Sequence, residues 1–386
     1  MRTQRLFVIA IVAVVSMAVY GQQFHPLGLS NVLDMPSLNY YYPQLHVEDN
    51  TLCVCTSHGL YTKDLSNDGS QWQLAGFEGI PLMDYARCGN DIFALRHNID
   101  SCFLLLSHDG GQTYSYMTPP VFIGNDPREH VLIRLVQHPN DPNTLLVLSN
   151  FWGMYRSSDF GQTWSKLAED WFTVGSSIGY HPARPEIIYN SGASDAEESC
   201  ILISYDGGQT WNFLAPTSEG LCAFEIAFNP SDPDKWIYGD YNGLGTSDDN
   251  GHTWNWLNLP GSQYRTWWRY ISYDCTNSDV VYAASNQRII FSTDGGESWS
   301  QPLVINSEEN ADVVHDLQQY GDRLLVYKGN EVYEISKTDL THTAVQDLEL
   351  DDAEGSSVTY DLQGRRTGLQ PKGVYIKNGK KYISNP

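Results

Sequence analysis

Eight residues recur along this chain with little change. Ser157 to Trp164 read SSDFGQTW, Ser204 to Trp211 read SYDGGQTW and Ser292 to Trp299 read STDGGESW, with further copies at Ser107 to Tyr114 and Ser247 to Trp254. Their central aspartates, Asp109, Asp159, Asp206, Asp249 and Asp294, stand 50, 47, 43 and 45 residues apart. A period of this size marks a unit that cannot bury its own apolar face and must stack on copies of itself. A step of 45 outward from the end copies lands on Asp64, in TKDLSNDGSQW, and on Asp339, in KTDLTHT. Both are decayed copies, so seven units fit.

The sequence between boxes reads as short strands. In DVVYAASNQRIIFSTDGGESW, Val280 to Ala284 and Ile289 to Ser292 form two strands around a turn, Trp299 opens a third, and Trp268 to Tyr273 supplies one before them. Four strands per unit without an amphipathic helix describe propeller blades. The expected fold is all-β: a seven-bladed β-propeller of four-stranded blades with a short C-terminal β tail. An open ring would leave two sheet edges exposed, so closure is expected to use either Phe24 to Leu33 or the strand near Thr343 to Leu348. Within the box, Ser and Asp accept turn amides, Gly supplies positive φ, and the terminal ring packs between blades. The five box aspartates are therefore structural.

This Ser-x-Asp-x-Gly-x-Thr-Trp pattern resembles the Asp-box (BNR) repeat across roughly residues 40 to 345. The resemblance implies a fold shared by sialidases, xyloglucanases, sortilin-type ectodomains and photosystem II assembly factors, and fold alone does not choose a function. The chain lacks the Arg-Ile-Pro-like tripeptide of sialidases. It opens with HPLGLSNVLDMPSLNYYYP rather than with the Gly-rich start of xyloglucanases.

Arg2 and Arg5 precede the apolar run Leu6 to Val15, with small residues after it, so residues 1–21 read as a secretory signal peptide. The propeller is assigned to 22–345, an acidic linker to 346–357 and a tail to 358–386. In that tail, Tyr360 to Arg366 (YDLQGRR) and Lys372 to Ile376 (KGVYI) resemble the sorting signal of Bacteroidota type IX secretion. Read from its charge alone, the tail is a basic strip able to lie on an acidic body. The formal charge of −23 argues against nucleic acid and anionic lipid as partners. The expected location is secreted or outer-surface associated after periplasmic transit, with no membrane span once the signal is cleaved. Seven cysteines permit disulfides but leave one over. Cys53 and Cys55 share a strand face without a second pair at zinc-like spacing, so neither a metal nor a cofactor is expected.

Function is expected on the face opposite the boxes, where the loops from second to third strand and from blade to blade open. Five of the ten arginines in residues 22–354 fall there, although the body is acidic. Guanidinium forks suit carboxylates and aromatic rings suit sugar faces. The candidate ligand-binding residues are Arg96, Arg128, Trp152, Trp171, Tyr241, Arg265, Trp268 and Arg288. Since successive strand residues face opposite ways, one of Trp267 and Trp268 is expected to pack inside a blade. The first functional reading is a secreted or surface-associated propeller that binds a glycan or an extracellular protein. The second is a glycoside hydrolase using two loop carboxylates from Asp126, Glu129, Asp170 and Asp240.

Overall fold

A computed structural model describes residues 24–31, 43–96, 103–117, 132–149, 153–167, 174–193, 199–214, 223–241, 243–257, 259, 267–286, 288–305 and 313–340, and strands within 359–384. The chain forms two compact units, Met1–Glu334 and Ile335–Pro386. In the first, the described strands form seven four-stranded antiparallel sheets, six of them paired in sequence order from the inside outward and the seventh completed by a strand from the start of the chain. The inner strands are Leu45–Glu48, Leu82–Cys88, Leu132–His138, Val174–His181, Ala223–Phe228, Tyr270–Tyr273 and Val314–Tyr320, which number the blades one to seven. Among the described residues, helical structure is limited to a 3-10 turn at Leu29–Asn31 and a single turn at 337–340.

The second strands show why these sequences stack. Each blade is covered on both faces, so its strands carry apolar residues continuously instead of in alternation. In Asp141–Ser149 of blade three, Leu145 and Val147 enter the cluster shared with blade two, while Leu146 and Leu148 enter the one shared with blade four. In blade two, Phe93 and Leu95 likewise face blade three, and Ile92 and Ala94 face blade one. The period-two alternation is thus between two dry interfaces.

Each full Asp-box joins the third strand to the fourth. In blade four, the Ser204 hydroxyl donates to Asp206 at 2.8 Å and accepts from the Gly208 amide at 2.7 Å. Asp206 also accepts from the Thr210 amide at 2.8 Å and the Thr210 hydroxyl at 2.6 Å. The same pattern recurs at Asp109, Asp159, Asp249 and Asp294. The Thr210 and Ser204 bonds hold the Asp206 carboxyl down at about 2, and Asp109 is held at about 2 by Thr113 and Ser107. The second box glycine has a further role. Gly161 has φ +82°, and a Cβ there would lie 2.1 Å from the Phe93 ring of the preceding blade. The box tryptophans Trp164, Trp211, Trp254 and Trp299 are half-buried, each against the cluster shared with the preceding blade.

Blade seven supplies Val314–Tyr320, Arg323–Lys328 and Glu331–Ser336, and its outer strand is His25–Pro26 from the other end of the sequence. His25 pairs with Glu334 and Pro26 with Tyr333. Of the two segments expected to close the ring, the N-terminal one does so; residues 343–348 lie outside the described residues. The buried Glu331 carboxylate accepts the Leu29 amide at 2.9 Å and the Ser30 hydroxyl at 2.7 Å. In the decayed first box, Trp72 donates its indole N–H to the Leu27 carbonyl at 3.0 Å. The residue that strays from the repeat thus ties down the closing strand.

Strands expected around the box at Asp294 are found as Tyr270–Tyr273, Val281–Ala284 and Arg288–Ser292. Trp299 belongs to the turn, and the outer strand is Leu303–Val304. The second unit holds a small sheet in the order Arg366–Thr367, Thr359–Tyr360, Gly373–Lys377, Lys380–Ser384.

Candidate functional site

Inner strands run toward the box face, so their starts, and the loops from second to third strand, mark the opposite rim. On that rim Tyr241 follows the second strand of blade five, and Trp267 leads into blade six. The Trp267 ring stacks on Phe224 at 5.6 Å and 25°, and meets Tyr241 edge-on at 5.2 Å. The Arg269 guanidinium lies 4.5 Å from the Trp267 centroid and 4.8 Å from that of Phe224. Phe224 is buried, while Trp267 and Tyr241 are half-buried, so the cluster is an anchored aromatic surface rather than loose side chains.

Of the residues expected to bind a ligand, Trp268 sits elsewhere. It is 5% exposed in the core between blades five and six, its amide donating to the Asp240 carbonyl at 3.1 Å. Trp267 is the ring left at the rim, as strand alternation requires of one of the pair. Asp240, a candidate carboxylate, is fully buried. Arg96 is half-buried and donates to the Tyr116 hydroxyl at 3.2 Å. Arg288 is half-buried at the start of the third strand of blade six. Arg128, Arg265, Trp152, Trp171, Asp126, Glu129 and Asp170 lie outside the described residues, as do 1–21 and 346–357.

A second polar region lies on the propeller axis. His46, Asp84, Arg134, Ser177 and Glu225, from the inner strands of blades one to five, line a cavity of 630 Å³. Asp316 of blade seven and Tyr270 of blade six are electrostatically coupled to Arg134. The carboxylates cap the exposed edge of the next inner strand. Asp84 accepts the Leu135 amide at 3.3 Å, Glu225 the Ile271 amide at 3.4 Å and Asp316 the Leu45 amide at 2.8 Å. A register shift in each of these three strands accompanies the capping group, as bulges do where a side chain must be re-aimed.

The charges in this ring are mutually adjusted. Burial pushes the Glu225 carboxyl up to about 8, reinforced by Asp316 and only partly offset by Arg134. Burial also raises Asp316 against the pull of its two amide donors. Burial disfavours charge on His46, but its 2.8 Å bond to Asp84 and the charges of Asp84, Asp316 and Glu48 together outweigh this and raise its pKa. Burial raises the Cys53 thiol to about 11 and Cys55 well above the usual range, so neither is a reactive thiolate. Among the described residues, no group of three His, Cys, Asp or Glu side chains is placed to hold a metal, and no helix is long and apolar enough to cross a membrane.

The BNR/Asp-box repeat family matches residues 290–301, which span the fifth full box. The architecture rests on the seven four-stranded sheets and on the five box turns that share one hydrogen-bond pattern. The chain is an Asp-box β-propeller. This propeller is 27% identical over 239 residues to the xyloglucanase Xgh74A of Acetivibrio thermocellus, covering 51% of this chain and 28% of the relative. It is 28% identical over 242 residues to a Paenibacillus sp. xyloglucanase, covering 51% and 23%. The chain therefore spans about a quarter of the length of the curated relatives it matches. Among solved structures, a YCF48 bound to D1 peptide superposes with a TM-score of 0.57 at 15% identity, covering 82% of this chain and 96% of that one. The GH74 xyloglucanase of Xanthomonas campestris gives 0.57 at 19% identity, covering 76% and 51%. Identities this low establish a shared fold for the propeller and nothing about its ligand.

Proposed function

We propose that the propeller is a secreted or surface-held module that binds a neutral polysaccharide of the xyloglucan class on its upper rim. The observation that carries this reading is the Trp267, Tyr241 and Phe224 cluster: a ring surface fixed by stacking can accept the apolar face of a sugar without first being ordered. The similarity to xyloglucanases supports the carbohydrate class. Arg269 already lies against two rings and Arg96 on a tyrosine hydroxyl, which weakens the case for an acidic ligand drawn from the arginine count. The signal-like start and the sorting-like tail support export. Deleting residues 358–386 and fractionating the cells tests the tail: a product retained in the periplasm supports the sorting role, and unchanged release removes it.

Titration calorimetry with xyloglucan oligosaccharides, sialyllactose and polygalacturonate tests the ligand class. Binding of the first, weakened about tenfold by Trp267→Ala, which corresponds to about 1.4 kcal/mol, supports the reading. Equal binding by the variant overturns it. A second reading, glycoside hydrolysis, is favoured by the same similarity to xyloglucanases. Sugar release that disappears on changing Asp170 or Glu129 supports that reading. The propeller is preferred as a binder because Asp84 and Asp316 on the axis are committed through both oxygens, and Asp240 is fully buried.

A further inference from the structure

Arg134 projects from the inner strand of blade three into the axial cavity and makes no hydrogen bond or ion pair with any described residue. Arg134 is half-buried, so its guanidinium, which carries five N–H donors, is open to a group that enters the cavity. The neighbouring carboxylates do not take up those donors. Asp84 is taken by His46 and by the Tyr85 and Leu135 amides, and Asp316 by the Leu45 and Leu317 amides. Around Arg134 the cavity also presents the Ser177 hydroxyl, with the Tyr189 phenol beside it, and Glu225 with one oxygen uncommitted. Gly179 makes the tyrosine's position possible: a Cβ there would lie 2.6 Å from the Tyr189 ring.

The lower end of the cavity is lined by Glu48, Arg87, Gly89 and Gln137, at the ends of inner strands. Those ends adjoin the box turns, as the Gly110 amide bonded to the Asn90 carbonyl at 2.9 Å shows. The cavity is therefore lined down to the face opposite the Trp267 cluster, and neither Trp267, Tyr241 nor Phe224 is among its lining residues.

We propose that the axial cavity is a binding site for a small carboxylate-bearing molecule of about the size of a sugar acid, its carboxylate held by the Arg134 fork and by the Ser177 and Tyr189 hydroxyls. A planar bidentate donor set selects carboxylate geometry, and 630 Å³ accommodates one sugar-sized ring. Glu225 tunes the site. It faces Arg134 from blade three, Tyr189 from blade four, Tyr270 from blade six and Asp316 from blade seven. With its carboxyl held up at about 8, it is largely protonated at neutral pH and donates to the incoming anion. Once ionised, it competes with that anion for Arg134.

Glucuronate and glucose, which differ in the carboxylate, are the probes, titrated into the full chain by calorimetry at pH 6.5 and pH 9. Glucuronate is expected to bind at pH 6.5 at least tenfold more tightly than glucose and to weaken at least fivefold at pH 9. Arg134→Gln abolishes the preference, while Glu225→Gln keeps the amide cap on Ile271 and makes binding independent of pH. Circular dichroism confirms that both variants fold. Equal affinity for the two sugars, no glucuronate binding at 50 mM, or full binding by a folded Arg134→Gln protein overturns the proposal. Trp267→Ala leaves glucuronate binding unchanged, so failure here is distinguishable from failure at the rim.

Discussion

Gly161→Ala tests whether the second box glycine serves blade contact as well as turn geometry. An L-residue at φ +82° costs about 1 to 2 kcal/mol on backbone grounds alone. The added methyl would sit 2.1 Å from Phe93 Cε2. Phe93 cannot swing away, because it is fully buried with Phe160 at 6.1 Å and Trp164 at 5.8 Å. Overpacking of this kind adds about 1 to 3 kcal/mol, for a total of about 2 to 5 kcal/mol. Gly207→Ala is the matched control: its φ is +72°, but nothing lies within 4 Å of its Cβ position, so only the backbone cost of about 1 to 2 kcal/mol applies. Urea unfolding followed by tryptophan fluorescence, with slopes checked for two-state behaviour, reads the difference. Equal midpoints for the two variants would refute the packing argument and leave φ as the box glycine's sole duty.

Trp211→Ala removes a half-buried ring whose indole donates to the Gly208 carbonyl at 3.2 Å, and is expected to cost about 2 to 3 kcal/mol in the same assay, below the range for a fully buried tryptophan. Because Asp206 is held at about 2, below the usual carboxylate value, its stabilisation is complete above about pH 4 and is lost as pH falls toward 2; the acid limb of a stability curve should flatten in Asp206→Asn. Glu225 has the opposite sign. Its folded pKa of about 8 exceeds the unfolded value of about 4.3, so the native state holds the extra proton and stability declines as pH rises between those values. Thermal midpoints at pH 5 and pH 8 should differ less in Glu225→Gln. Glu331→Ala strands the Leu29 and Ser30 amides and is expected to cost about 2 to 3 kcal/mol and to expose the segment near Leu27 to limited proteolysis.

The blades were legible because the box repeats both a spacing and a turn chemistry, and each copy fixes the end of a third strand and the start of a fourth. The closing strand was legible as a need, since a ring with two open edges is unfavourable, and His25–Pro26 fills it. The rim was read less well. Trp267 and Trp268 differ only in which side of a strand they take, and the sequence carries no local mark of that parity until the register with Ala284 is known. The axial ring was missed although it leaves a trace. Asp84, Arg134, Glu225 and Tyr270 lie 25, 25, 24 and 24 residues before the box aspartates of their own blades. In LMDYA, LIRLV and AFEIA, a charge interrupts an apolar run at the same phase of the repeat. Read blade by blade, each looks like an isolated oddity, and only superposition of the repeats makes them one ring.

The joint between His25–Pro26 and blade seven connects groups that are far apart in sequence: Leu29 and the Glu331 carboxylate that accepts its amide are 302 residues apart. A chain threaded from its N-terminus therefore presents the clasp strand first and its mate last. Until Glu331–Ser336 arrives, the blades can pair locally but the ring has no seam, and closing a loop of that length is the slow step that topology imposes. Such a polypeptide stays pliable for as long as its final blade is withheld. Once the seam forms, the earliest and latest parts of the ring become a single mechanical point, where tension or heat would begin to unzip it.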